Sequence, residues 1–218
     1  MNQDYSNLVS FGQKTETIQE EDALCFSTDK ELWNCFKSGN NSAFILIYER
    51  FFDSLYSYGM RIHPKPQVVE DAIHDVFVDL KYKSSGLGET DSIKFYLFKC
   101  LKRRIYREVR KWTNLKEEFT EMTPFEISFS HEQVLIDKQI DLEKIHQINE
   151  AVKKLSPRKR EAIYYIYYEG LSYQQVAELM ELSDAKSARD LIYKSLKSLR
   201  DSLGFLPVFL AALLPQSS

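Results

Sequence analysis

From Leu32 to Leu203 large apolar residues recur at spacings of three and four, and the rhythm lapses for long only between Thr113 and Asp141. That spacing puts apolar side chains on one face of an α-helix, so the chain reads as two sets of helices separated by a connector. Seven Gly and six Pro in 218 residues, with 44% hydrophobic and 28% charged residues, agree with a helix-rich globular protein. Collagen, low-complexity and wholesale disordered architectures are excluded. The expected fold class is all-α, with two helical domains joined by an acidic linker and a helix-turn-helix in the second.

In the first set, Leu32, Trp33 and Phe36 ahead of Ser38-Gly39-Asn40 predict a short helix with a glycine stop. Ser42 is placed to cap a longer helix whose stripe is Phe44, Ile47, Phe51, Leu55, Tyr58 and Ile62, ended by His63-Pro64-Lys65-Pro66. From Val68 to Tyr82, Val69, Ile73, Val76, Phe77 and Leu80 share one face while Asp71, Asp75 and Asp79 form an acidic ridge on another. Residues 83–92 are a Gly- and Ser-containing loop, and Ser92 can cap a helix from Ile93 to Trp112 with Leu97, Leu101, Ile105, Val109 and Trp112 inward. Residues 1–28 read as a polar, flexible tail, 29–112 as the first domain and 113–140 as an extended linker that orders only on a partner.

The second domain, 141–203, restarts with Leu142, Ile145, Ile148, Val152 and Leu155, breaks at Ser156-Pro157, and continues to about Tyr168 before Glu169-Gly170. Ser172 and Gln175 have capping-box spacing, and Leu171 and Val176 occupy the two staple positions, so a helix starts there. A short turn over Leu182-Ser183-Asp184 leads to a basic helix with Ala188, Leu191, Ile192, Leu196, Leu199 and Leu203 inward. Two helices so closely joined describe a helix-turn-helix. Residues 204–218 form an apolar tail, read as packing against this domain or as a docking patch for a regulator.

The formal net charge of −3 hides a strong segregation. Between Lys94 and Lys111 eight Lys and Arg face the single acid Glu108; between Thr113 and Glu150 nine acids face Lys116, Lys138 and Lys144; from Ala151 the chain is basic again. In the helix-turn-helix, Lys186, Ser187, Arg189, Asp190, Tyr193 and Lys194 are the candidates for the major groove, with Arg158, Lys159 and Arg160 as phosphate contacts. The cationic helix interleaves Phe95, Tyr96, Phe98, Tyr106 and Trp112 with its bases, a pattern that suits single strands when the rings are free and a buried core when they are not.

Three cysteines, Cys25, Cys35 and Cys100, without a CxxC give no disulfide framework or zinc site, and the polar, acidic N-terminus has no signal-peptide pattern. The longest apolar stretch, near Phe205 to Leu214, is too short to span a bilayer. A cytoplasmic location is expected.

The stretches AFILIYERFFDSLYSYGMRI, VVEDAIHDVFVDL, SIKFYLFKCLKRRIYREVRKW, LSPRKREAIYYIYYEGLSYQQVAELM and KSARDLIYKSLKSLR, in this order, resemble the extracytoplasmic-function sigma factors, the small specificity subunits of bacterial RNA polymerase. Glycine-poor, Tyr- and Lys-rich usage is similar to the iron-transport-regulator type of Bacteroidetes. The resemblance implies that 29–112 is region 2 and 141–203 is region 4. It further implies docking of Asp71, His74, Asp75 and Asp79 on core polymerase, and melting of the minus-ten element by the loop 83–92 with Lys99, Lys102, Arg103, Tyr106, Arg107 and Arg110. Region 4 would then bind the minus-thirty-five element. Promoter DNA and a membrane-tethered anti-sigma protein are the other implied partners, and no cofactor, metal or catalytic residue is called for. The turn from Glu181 to Ala185 departs from the family pattern, with Glu181 where Gly or Asn is common. The rival reading is a helix-turn-helix regulator that binds DNA without polymerase and uses the first domain as a sensor. A second rival, a metal phosphohydrolase built on His63 and the His74-Asp75 pair, is disfavoured by the short spacing between the two histidines.

Overall fold

The computed structural model describes residues 28–113, 125–127 and 142–203. All regular structure among them is helical. Four helices form the N-terminal group: α1 (Asp29–Lys37), α2 (Asn41–Ile62), α3 (Pro66–Tyr82) and α4 (Ile93–Thr113), with a single 3-10 turn at Ser84–Gly86. The C-terminal group holds α5 (Leu142–Lys153), α6 (Pro157–Ile163), α7 (Tyr173–Leu179) and α8 (Ala185–Leu203). A π-helical turn, Tyr164–Tyr168, extends α6.

Local chemistry sets the ends. Thr28 and Glu31 form a reciprocal capping box on α1. Gly39, in the left-handed region at φ 91°, turns the chain so that Asn40, rather than the expected Ser42, accepts the Ala43 N–H at 3.0 Å. Pro66 opens α3 at a position where its missing N–H costs nothing. Ser92 Oγ accepts from Phe95 N as its position implied, and the Asp29 carboxylate takes the Ile93 N–H at 2.9 Å, so the start of α1 also caps α4. The indole N–H of Trp33 donates to the Gly88 carbonyl at 2.9 Å, tying the loop 83–92 to α1.

Leu32, Trp33, Ile47, Leu55, Ile73, Leu97 and Leu101 are fully buried among α1 to α4; Val152, Ala162, Ile163, Val176, Ala188 and Ile192 do the same for α5 to α8. Together these buried residues form one continuous apolar core. Gly59 of α2 lies where a Cβ would run into Cγ1 of the buried Val69 on α3. Ala in an open helix is favoured over Gly by about 1 kcal/mol, but forcing a carbon into a packed site costs about 1–3 kcal/mol. Gly59→Ala is therefore expected to lower stability in urea unfolding, whereas a gain would mean that α2 and α3 separate readily.

The two groups meet through aromatic residues. Tyr58 of α2 stacks on Phe98 of α4 at 4.6 Å and lies 6.1 Å from Tyr164 and 5.6 Å from Tyr165. Phe125 packs between them, 6.3 Å from Tyr58 and edge-on to Tyr164 at 5.4 Å, and Ile127 is buried beside it. At least these residues of the connector are held by the chain itself rather than by a partner. Apart from Thr28 of the expected N-terminal tail and Thr113 and residues 125–127 of the expected linker, those segments and the expected C-terminal tail lie outside the described residues.

Candidate nucleic-acid interface

The acidic ridge on α3 is exposed at Asp71, while Asp75 and Asp79 keep 48% and 52% of their side-chain exposure beside a cation the sequence reading did not pair with them. Arg104 of α4 reaches Asp75 at 2.6 and 3.0 Å and Asp79 at 3.7 Å, and Lys83 lies 3.5 Å from Asp79. The ridge is thus partly neutralised and braced from behind. His74, half-buried, lies between Asp71 and Asp75 on the same helix.

Along α4 the candidate cations divide by direction, because a helix turns 100° per residue. Arg103 and Arg107 are exposed and, with Lys83, Arg104, Tyr96 and Cys100, line a cleft of about 190 Å³ against α3. Burial is the main cause that pushes the Tyr96 hydroxyl up to about 12 and raises the Cys100 thiol, so both are neutral lining groups. Lys99 and Lys102 point the other way, toward the C-terminal group. The Arg110 side chain lies outside the described residues. Of the rings whose role the sequence left open, Phe98 is fully buried and Phe95, Tyr96 and Tyr106 are half-buried, so among the described residues the pattern of bases and rings on this helix is chiefly a core pattern.

The surface that Lys99 and Lys102 face is acidic. Lys102 Nζ donates to Glu161 Oε1 at 2.7 Å and to the Leu179 carbonyl at 2.8 Å; Glu161 also accepts from the Tyr165 hydroxyl at 2.8 Å, and that hydroxyl meets Tyr58 at 2.5 Å. Glu169, its side chain 8% exposed, pairs with Lys94 at 3.2 Å and accepts from Ser54 at 2.9 Å and Tyr164 at 2.5 Å. Lys99 pairs with Glu178. Arg61 stacks over Tyr164 at 4.7 Å and donates to the Glu126 carbonyl at 2.7 Å. Glu161, Glu169 and Arg61 were not singled out in the sequence. The signal available for Glu161 was an acid on the apolar side of an otherwise apolar run, Ala162 to Tyr168.

In the C-terminal group the capping box forms as expected: Ser172 and Gln175 exchange hydrogen bonds of 2.8 and 3.3 Å, and Leu171 and Val176 are both buried. The α7 end is a Schellman motif, with Leu182 N donating to Ala177 O at 2.8 Å and Glu181 N to Glu178 O at 3.4 Å. Glu181 therefore takes φ 54°. A side chain in this region costs about 1–2 kcal/mol, part of which glycine loses again through its freer unfolded state. Glu181→Gly is expected to raise stability by about 0.5–1 kcal/mol in thermal unfolding; a loss would show that the Glu side chain itself holds the turn.

Asp184 caps α8 by accepting the Ser187 N–H at 2.7 Å, a bond that also holds its carboxyl below the usual range. Ser187 and Ser183 hydroxyls meet at 2.7 Å, so Ser187 is engaged in the turn. Lys186, Arg189, Asp190, Tyr193 and Lys194 are exposed, and their spacing of three, four, seven and eight places them on one face. The three consecutive cations Arg158, Lys159 and Arg160 diverge: toward the Met180 carbonyl at 3.4 Å, the Ser198 hydroxyl at 3.0 Å and the Lys153 carbonyl at 3.5 Å. They hold α6 against α7, α8 and the end of α5. Among the described residues no group of three or more His, Cys, Asp or Glu could hold a metal ion.

Residues 145–197, within α5 to α8, match the family model for sigma-70, region 4. The fold is similar to that of CnrH, solved in complex with the cytosolic domain of CnrY. The TM-score is 0.52 at 18% sequence identity, over 81% of this chain and 97% of that one. A second similar structure is the sigma factor RpoE in complex with the anti-sigma factor NepR from Bartonella quintana, with a TM-score of 0.48, 19% identity and coverage of 75% and 98%. No curated protein matches the chain.

Proposed function

We propose that the chain is an alternative sigma factor of the extracytoplasmic-function type, acting in the cytoplasm. It binds core RNA polymerase and directs it to promoters. Residues 29–112 serve as region 2, which docks on the polymerase and melts the minus-ten element, and 141–203 as region 4, which binds the minus-thirty-five element. The observation that carries this reading is the region 4 match over 145–197, in a chain whose fold follows CnrH over 81% of its length. The exposed face of α8 supports DNA contact by Lys186, Arg189, Tyr193 and Lys194, and the exposed Arg103 and Arg107 support strand contact by α4. CnrH was solved with the cytosolic domain of CnrY, and an anti-sigma protein tethered to the membrane is part of the proposal. Tyr- and Lys-rich usage supports the iron-transport-regulator subtype.

The test is co-elution with sigma-free core polymerase. The chain is expected to co-elute, and Asp71→Lys to weaken binding about tenfold or more, since a reversed charge on the ridge meets a basic surface. Asp71 is chosen because Asp75 also holds Arg104. Failure to co-elute, together with tight binding of the free protein to a palindromic duplex, would favour the polymerase-independent regulator instead.

A further inference from the structure

We propose that the open cavity between α2, the connector residues 125–127 and the junction of α5 and α6 binds a small organic phosphate. Its cations are Arg61 of α2, Lys153 of α5 and Arg160 of α6, and its apolar lining is Tyr56, Met60 and Ile127. The cavity measures about 570 Å³, within the range of small-molecule sites, and it lies at a junction of helical groups, where such sites concentrate. Two unmet donors single it out. Nε of Arg61 and Nε of Arg160 are both buried without a hydrogen-bond partner, and they are two of the three such side-chain atoms among the described residues. Buried donors are normally satisfied, so a pair of them on guanidinium groups at one cavity marks a place for an acceptor. The inference does not depend on the sigma-factor reading.

The fold holds these groups ready. The π-helical turn Tyr164–Tyr168 stacks Tyr164 on Tyr168 at 5.4 Å, and the Arg61 guanidinium lies over the two rings at 4.7 and 5.7 Å. Helical turns of this rare kind recur at functional sites. Stacking occupies the face of the guanidinium and leaves its donors at the edge, where Nη1 donates to the Glu126 carbonyl at 2.7 Å. Arg160 Nη1 reaches the Lys153 carbonyl at 3.5 Å, a long bond that a better acceptor displaces. Lys153 pairs with Glu150 at 2.7 Å, but the two side chains are 66% and 46% exposed, so that pair is weak enough to exchange for a phosphate oxygen. Among the described residues the one acid lining the cavity is Glu126, which is exposed; three cations against one acid leave the lining positive. Cations arriving from three helices suit a phosphate, whose acceptors point in several directions, better than the two coplanar oxygens of a carboxylate. The apolar lining calls for an organic part on that phosphate.

A ligand in this cavity touches both helical groups and the connector, so its binding raises the unfolding temperature of the chain as well as giving a titration. The experiment titrates the full chain with ADP and UDP by calorimetry and follows thermal unfolding at millimolar ligand, with adenosine and uridine as the uncharged counterparts. Wild type is compared with K153Q/R160Q, which removes two of the three cations. A charge-matched control, K65Q/K197Q, changes two exposed lysines outside the cavity. Lys153→Gln alone, at an exposed position, guards against loss of folding in the double variant. The expected result is saturable one-to-one binding of at least one diphosphate, an upward shift in unfolding temperature, and no binding of the nucleosides. K153Q/R160Q is expected to weaken that binding about tenfold or more, with Lys153→Gln in between and the control unchanged. Absence of saturable binding by both diphosphates overturns the proposal, as does equal loss in the control or nucleoside binding as tight as that of the diphosphates. Displacement of the diphosphate by oligothymidine at matched phosphate concentration would assign the cations to a nucleic-acid strand and overturn it too.

Discussion

Trp33→Ala is expected to cost the protein about 3–5 kcal/mol and to release the loop 83–92 from the N-terminal group. The ring is fully buried, 5.1 Å from Tyr96 of α4 and 5.5 Å from Phe36, so its removal leaves a cavity walled by helices fixed through other contacts. That cavity is the larger part of the cost. The indole bond to Gly88 adds about 0.5–1.5 kcal/mol, because Gly88 is exposed and its carbonyl can turn to water. The Lys37–Glu89 pair nearby is too exposed to retain the loop by itself. Trp33→Phe separates the terms: it keeps most of the packing and loses the bond, so stability falls by only about 1–2 kcal/mol while amide exchange at residues 87–90 accelerates. If the loop serves promoter melting as proposed, both variants should weaken open-complex formation more than core binding. A loss below about 1 kcal/mol for Trp33→Ala would mean that the site collapses freely and that Trp33 is not a pillar of the group.

The second large effect is alkaline opening. Tyr58 and Tyr165 are held far above the ordinary tyrosine range, first by burial and then by the neighbouring Glu161 carboxylate; Tyr164 and Tyr168 are raised mainly by burial as well. In the unfolded chain these phenols ionise near pH 10. Below that pH their contribution is present in full. Above it the unfolded state sheds protons that the folded state keeps, so stability falls with rising pH, by about 1.4 kcal/mol per unit for each phenol still protonated when folded. For Tyr58 and Tyr165 alone the slope is about 2.7 kcal/mol per unit. Because the pair bridges the two helical groups, separation should accompany or precede unfolding. Urea midpoints measured below and above pH 10 give the slope, and Tyr58→Phe should lower it by about 1.4 kcal/mol per unit. A flat profile through pH 11 would contradict the buried pair.

What the sequence made legible was local. The stripes of α2 and α3, Leu97, Leu101 and Ile105 of the α4 stripe, the Ser92 cap and the Ser172–Gln175 box follow from spacing and from hydrogen bonds across three residues, and these appear in the structure. Asn40 and Ser42 were both suited to cap α2, and the choice fell to Asn40 through the left-handed turn at Gly39, a backbone property that spacing does not report. The rings of α4 were ambiguous because both faces carry aromatics: Phe98 is buried with Tyr58, 40 positions earlier in the chain, stacked against it. Glu161 depends on Lys102 in the same way, and Phe125 on a gap between Tyr58 and Tyr164. The partners of the candidate site are thus contacts between groups far apart in sequence. Single-segment patterns assign charge to a surface, but they do not show that the surface is already occupied by the other half of the molecule.

The most direct measurement of the central claim is run-off transcription with sigma-free core polymerase on a library of upstream regions, with and without the protein. The account predicts new, discrete start sites that depend on the protein, together with co-elution of protein and core. No protein-dependent transcripts and no core binding would contradict it.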